Sequence, residues 1–264
     1  MALPENFRKV THLLKETIID NRFSVYLAGF TGRNITQIFV EKEENGYSRT
    51  KDGVKIKMSR SMHFTDILIR KPLEGYRKEV NLEEVDTMID AGAFPGEFAI
   101  YAAKKENVDV IALEPDPENA DQLRENIRLN GLEDSITVLE KGLWKEKDEK
   151  GFERDRQLGM ASKISENTSI TIDLDKLDNI VSEHEKPDLV KMDIEGAEIE
   201  ALKGAEKVLE EVRPKFSIAT YHRRDGKKTF KKVEEILEQH SYTAETGYSR
   251  HLTTYGEPVE PSED

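Results

Sequence analysis

Three acidic residues stand at the ends of apolar runs: Asp90 closes VDTMID, Glu114 closes VDVIALE and Asp193 closes PDLVKMD. A fourth run, PKFSIATYH, closes on His222. The turn after Asp90 reads A-G-A-F-P-G, with Gly92 and Gly96 bracketing it. Glycine lets a ligand approach the backbone, and the helix start beyond the turn offers free N–H groups to an anionic group. The turn lacks the G-x-G-x-x-G spacing of a dinucleotide site. An acid ahead of it is ill placed beside a pyrophosphate, but it suits a ligand carrying an ammonium and a sulfonium. Glu114 follows Asp90 by 24 positions. It is placed to accept hydrogen bonds from both hydroxyls of a ribose, or to favour the dipole of the helix that follows. Strand, glycine turn, helix, strand and acid in register favour a nucleoside ligand.

Asp193 ends its strand beside that ligand's reactive centre, and Glu195 and Gly196 turn the chain into the next helix. Glu195 reads equally as a site residue and as a first-turn acid; Glu198 reads as a first-turn acid that favours the helix dipole. Lys191 interrupts the apolar strand and needs a partner near its end. A neutral imidazole at His222 is able to take a proton from an acceptor hydroxyl near neutral pH. The other histidines, at 12, 63, 184, 240 and 251, do not cluster at ligand spacing, so no zinc site is expected. Asp193 and Glu195 have the oxygens to hold a magnesium ion, a weak signal on its own; no metal is expected.

Alternating segments position these residues. Helical patterns cover 96–107, 116–131, 173–183, 194–212 and 227–241, with Gly204 as a break. Asp116, Pro117 and Asn130-Gly131 are the cap, first residue and stop of the second. Strands are expected at 85–90, 108–114, 135–141, 187–193 and 214–222, and 243–257 reads as a closing antiparallel hairpin. Strands alternating with helices give a doubly wound, mostly parallel α/β sheet, whose ligands bind at the carboxyl ends of its strands. Ahead of it, Phe7, Val10, Leu14 and Ile18 mark an amphipathic helix over 5–20, and Asp52-Gly53 turns a hairpin. Residues 145–168 read as a polar loop or insertion. The expected organisation is a small α+β extension over 1–80, the main domain over 81–257 and an acidic disordered tail over 258–264.

The 264 residues contain no cysteine, which excludes disulfides, thiolate nucleophiles and zinc–thiolate sites. No run of 18 apolar residues is present, so no membrane span is expected. The charged amphipathic start is no secretory signal, and a cytoplasmic protein is expected. A net charge of −13 argues against broad nucleic-acid binding. No N/D-P-P-Y/F turn follows the fourth strand, where DIEG stands instead. That weighs against amino-group methylation of bases.

The segments IDAGAFPGEFAIYAAK, VIALEPDPENADQLRENIRLNGL, IDLDKL, LVKMDIEGAEIEALKGAEKVL and RPKFSIATYH resemble the FkbM-type S-adenosylmethionine-dependent methyltransferases over about residues 84–257. Arg60, Asp66 and Tyr76 match the family's lead-in loosely. The resemblance implies a seven-stranded class I methyltransferase fold and S-adenosyl-L-methionine as cofactor. Asp90, Gly92, Ala93 and Gly96 would lie along its methionine part, Glu114 would hold the ribose, and Glu140 to Gly142 would lie near the adenine. Asp193 would sit near the transferring methyl. Ala93-Phe94-Pro95 is bulkier and stiffer than the family's usual turn. The expected activity is O-methylation of a small-molecule or glycan hydroxyl, with His222 as base and Asp193 or Glu195 as the next choices. An RNA 2′-O-methyltransferase and a non-catalytic cofactor-binding scaffold are the alternatives.

Overall fold

A computed structural model of the chain describes residues 22–28, 35–43, 46–51, 53–59, 72–153, 163–164, 168, 170–224, 226–247 and 251–260. The helix expected over 5–20 and the positions of Arg60 and Asp66 lie outside these residues. An antiparallel four-stranded sheet comes first, in the order β1 (Arg22–Ala28), β2 (Ile35–Glu43), β3 (Gly46–Lys51), β4 (Val54–Ser59). The expected hairpin is β3–β4, with Lys51 opposite Val54 and Gly53 between them at φ 79°. The short helix α1 (Pro72–Arg77) leads into the main sheet.

That sheet is built from β5 (Thr87–Ala91), α2 (Glu97–Glu106), β6 (Asp109–Leu113), α3 (Pro117–Asn130) and β7 (Ile136–Leu139) on one side. The other side follows a small four-stranded sheet, β8 (Gly142–Leu143), β9 (Asp148–Glu153), β10 (Lys163–Ile164) and β11 (Thr171–Asp175). Then come α4 (Leu177–Glu183), β12 (Leu189–Met192), α5 (Glu198–Lys203), β13 (Lys215–Ala219), the ribbon β14 (Arg223–Arg224) and β15 (Lys227–Lys228), α6 (Phe230–Gln239), β16 (Tyr242–Gly247) and β17 (Thr253–Pro258). The seven strands run in the order β16-β17-β13-β12-β5-β6-β7. Only β17 runs antiparallel to the other six strands. The chain moves outward from β5 to β7 and returns to β12 on the other side of β5. The switch point therefore lies between β5 and β12, where open α/β sheets bind their ligands.

Every residue of β5 and β12 is buried, as expected for central strands covered on both faces. The two-residue beat divides them: Met88 packs with Phe98 and Leu123 in one apolar layer, Ile89 with Leu177 and Phe216 in the other. Each fully buried side chain of this size contributes about 1.5–3 kcal/mol. Helix α3 starts as its sequence predicts: Asp116 accepts from the Glu118 N–H, Pro117 is the first helical residue and Gly131 closes the helix in the left-handed region. Gly204 ends α5, also as expected.

Three features differ from the sequence expectations. Residues 145–168 are not merely a loop, because they contribute β9 and β10 to the small sheet. The helix expected from 173 begins at Leu177, preceded by strand β11. Ile172 and Leu174 alternate with Asp173 and pack beside Phe152, so the local period is 2, not 3.6. Strand β4 and helix α1 also share the main core: Val54, Ile56 and Tyr76 lie in the layer of Met88 and Phe98. Asn126 and Asn130 of α3 hold β4 through bonds from the Lys57 and Lys55 N–H groups at 2.8 and 3.0 Å. At the other end β17 runs through Pro258, and the Val259 N–H donates to the Ser241 carbonyl at 2.9 Å. Among the described residues no helix is long and apolar enough to cross a membrane.

Candidate active site

A cavity of ≈ 540 Å³ opens at the carboxyl ends of the central strands, a volume suited to a nucleoside-sized ligand. Gly92, Glu114, Asn119, Trp144, Asp193 and Tyr221 are among its lining residues. Gly92 sits at φ 72°, and a Cβ there would stand 1.9 Å from the Asp193 carbonyl oxygen. The β5 turn thus crosses the β12 turn at a distance only glycine permits.

Glu114 caps β6 and is 6 % exposed. Its carboxylate accepts from the Asp116 N–H at 3.1 Å and the Phe94 N–H at 3.4 Å. Burial pushes its pKa up to about 7, with those two N–H groups pulling the other way. It is a carboxylate held against solvation beside a cavity, suited to hydroxyl donors.

Asp193 follows the last residue of β12. Tyr76 donates to its Oδ2 at 2.5 Å, and Tyr221 donates to both oxygens at 3.0 and 3.2 Å. Burial works to raise its pKa, but Lys191, His222 and the Tyr76 hydrogen bond outweigh it and hold the carboxyl below its ordinary range. Lys191 finds the partner its strand position demanded. It forms a buried ion pair with Asp90 at 2.7 Å, and the two residues face each other across β12 and β5. Its Nζ also donates to the Gly92 carbonyl at 3.0 Å.

His222 Nε2 lies 3.4 Å from Asp193 Oδ1 and 3.4 Å from Glu195 Oε2, while Nδ1 lies 2.8 Å from Glu198 Oε1. Burial would lower its pKa, but Glu195, Glu198 and Asp193 raise it to about 10. With nothing else bound, the ring therefore carries both protons at neutral pH. Asp193, Glu195 and His222 offer ligand atoms that all lie within 4.8 Å of one another, although no metal was expected here.

The remaining expected residues divide. Gly92, Glu114, Gly142, Asp193 and Glu195 line the cavity. The Asp90 side chain is fully buried in its ion pair with Lys191, so the cavity wall is formed by Ala91 and Gly92 instead. Ala93 is buried and Gly96 caps α2, both behind that wall. Glu140 turns away to Arg124 at 2.6 Å, leaving Lys141 and Gly142 on the cavity wall. His222 sits beneath the lining, against Asp193 and Glu195. Glu198 is more than a first-turn charge. It is fully buried, accepts from the Gly196 N–H at 3.0 Å and faces His222. Sequence reasoning gave Tyr221 and His251 no role and matched Tyr76 only loosely, yet His251 Nε2 lies 3.2 Å from the Tyr76 hydroxyl. One signal was present: Tyr221 adjoins His222 at the same strand end.

Comparison with known proteins adds the following. The family model described as the methyltransferase FkbM domain matches residues 90–244, which include Asp90, Glu114, Asp193 and His222. The chain is 35 % identical over 144 residues to the hexuronic acid methyltransferase AglP of Haloferax volcanii, covering 53 % of this chain and 57 % of that protein. It is 26 % identical over 162 residues to the methyltransferase sdnD of Sordaria araneosa, covering 48 % of this chain and 62 % of that protein. The chain thus matches less than two thirds of either relative's length. The crystal structure of an FkbM methyltransferase from Methylobacillus flagellatus superposes with a TM-score of 0.51 at 24 % identity, covering 74 % of this chain and 47 % of that one. That likeness is one of fold.

Proposed function

The chain belongs to the FkbM methyltransferase family, and from that premise we propose that it is an S-adenosyl-L-methionine-dependent O-methyltransferase acting on a hydroxyl of a glycan or small molecule. The observation that carries the proposal is one cavity with Glu114 and Asp193 both on its wall and the glycine turn between their strands. Glu114 suits the two ribose hydroxyls, Gly92 gives the amino-acid portion close access to the backbone, and Lys141 to Leu143 face the base. The buried, hard-to-ionise Glu114 carboxylate and the anionic Asp193 fit a cationic nucleoside.

The cofactor supplies a methyl group on a sulfonium, already a good leaving group, so the protein's contribution is alignment and charge. Asp193, fixed by Tyr76 and Tyr221, holds negative charge beside the reaction centre. Glu195, at the exposed mouth, is available to receive the acceptor's hydroxyl proton and pass it to water. Arg223 and Arg224 line the same mouth, and Arg224 is already paired with Glu200. Arg223, whose guanidinium also donates to the Gly226 carbonyl at 2.9 Å, adds a cation suited to an acidic acceptor, in keeping with the hexuronic acid named for the Haloferax volcanii relative.

Calorimetry with S-adenosyl-L-methionine tests the first half: no binding at millimolar cofactor overturns the proposal. Mass spectrometry of a host extract incubated with protein and cofactor tests the second. A product gaining one methyl is expected with the native chain and is lost with Asp193→Asn; an unchanged yield from that variant removes Asp193 from the reaction centre.

A further inference from the structure

Asp193, Glu195 and His222 come from two different strand ends and meet at the base of the cavity mouth. An acidic pair alone would be ordinary. The histidine is what makes this cluster different. Its side chain is only 8 % exposed, and its buried Nε2 makes no well-aligned hydrogen bond. A buried polar group left in that state is costly. Nε2 points between two carboxylate oxygens at 3.4 Å each, too far for good hydrogen bonds. Neighbouring ligands about 2.1 Å from an ion stand about 3.0 Å apart when it is six-coordinate and about 3.4 Å apart when it is tetrahedral, so a six-coordinate ion fits here after the ligands draw in by a few tenths of an ångström. The other ring nitrogen faces the fully buried Glu198 at 2.8 Å, the carboxylate–histidine arrangement that fixes the tautomer of a metal-binding imidazole.

We infer that Asp193 Oδ1, Glu195 Oε2 and His222 Nε2 form a binding site for a divalent cation of the manganese type, with Glu198 orienting the imidazole. One nitrogen and two carboxylate oxygens suit a six-coordinate ion of intermediate softness better than a structural zinc. Three protein ligands leave positions open toward the cavity mouth. This inference rests on the methyltransferase reading and assigns the open positions to the acceptor. The acceptor hydroxyl binds the cation, which lowers the hydroxyl's pKa. Its proton passes to the free oxygen of Glu195 and on to solvent. The oxygen then forms its bond to the methyl carbon as the carbon–sulfur bond breaks, and that electron pair stays on sulfur as a neutral thioether. In this arrangement His222 holds the cation and is not the base.

The test uses the full chain stripped with chelator and titrated with Mn2+, followed by electron paramagnetic resonance. One equivalent is expected to lose its free-ion signal, and pulsed spectra are expected to show coupling to one imidazole nitrogen. His222→Gln should abolish that coupling and raise Kd at least tenfold, and Glu198→Gln should weaken binding about 10–100-fold. Coupling in the wild type is decisive even if a variant fails to fold. Binding without nitrogen coupling reports only the acidic surface and overturns the inference, as does absence of binding at millimolar Mn2+. S-adenosyl-L-methionine calorimetry on the same stripped sample separates the two proposals. Cofactor binding without a manganese site removes the cation alone, and failure of both removes the methyltransferase reading as well.

Discussion

Glu114→Gln separates a residue kept for a ligand from one kept for the fold. The Glu114 carboxyl titrates at about 7 in the folded chain against an ordinary 4.5. At about 1.4 kcal/mol per pH unit, that gap makes the ionised side chain about 3 kcal/mol destabilising. The residue is 6 % exposed, so little solvent screening reduces the figure. The folded-state pKa lies above the unfolded one, so the folded chain binds the proton more tightly. The resulting stability is complete below pH 4.5 and is lost as pH rises through about 7. Glutamine mimics the neutral acid and cannot titrate. It keeps an acceptor for only one of the Asp116 and Phe94 N–H groups, a loss that does not vary with pH. Urea denaturation of both proteins at pH 5 and pH 8 should therefore show the variant gaining about 2.5 kcal/mol on the wild type across that interval. Cofactor affinity should move the opposite way. If ribose hydroxyls donate to the ionised carboxylate, wild-type affinity at pH 5.5 should be about 30-fold weaker than at pH 8, and that of the variant should be weak and flat. A stability difference independent of pH would refute the buried-carboxylate account. A wild-type affinity independent of pH would refute the ribose role.

Other perturbations bear on the frame around the cavity. Asp90→Asn and Lys191→Met should each cost about 3–5 kcal/mol in denaturant unfolding, because each strands a buried charge. The double variant should recover most of that loss, and single losses under 1 kcal/mol would show the pair to be dispensable. Gly92→Ala should fail to fold or lose several kcal/mol, since its Cβ would overlap the Asp193 carbonyl, whereas Gly131→Ala, with φ 66° and open space around it, should cost only about 1 kcal/mol. Asn126→Ala should lower stability by about 1–3 kcal/mol by removing the bonds that its side chain makes to the Lys57 N–H and the Pro95 carbonyl. Thermal melts that differ from the wild type by under 2 °C would show that β4 does not depend on it.

The acids at strand ends were legible because burial writes an apolar run and function ends it with charge. Their roles were not, because run ends blur by a residue or two while sheet register is strict. Asp90 and Asp193 look alike in the sequence. In the parallel ladder Asp90 pairs with Lys191, and Ala91 pairs with both Met192 and Leu113. Asp193 and Glu114 each follow the last residue of their strands, level with Gly92 at the open edge. Asp90 is two residues deeper, inside the sheet, where a carboxylate needs a buried cation and Lys191 supplies it. The same reasoning explains Glu198. One helical turn after the β12 turn it resembles a charge at a helix start, and only the return of β13 to the adjacent position brings His222 against it. Tyr76 lies 117 positions from the carboxylate it holds, a pairing that no local period encodes. Local pattern thus identifies which strand ends carry charge, and register decides which charges reach the cavity. The convergence of Asp193, Glu195 and His222 belongs to the second kind of information: it depends on the crossover through α5 placing β12 and β13 side by side.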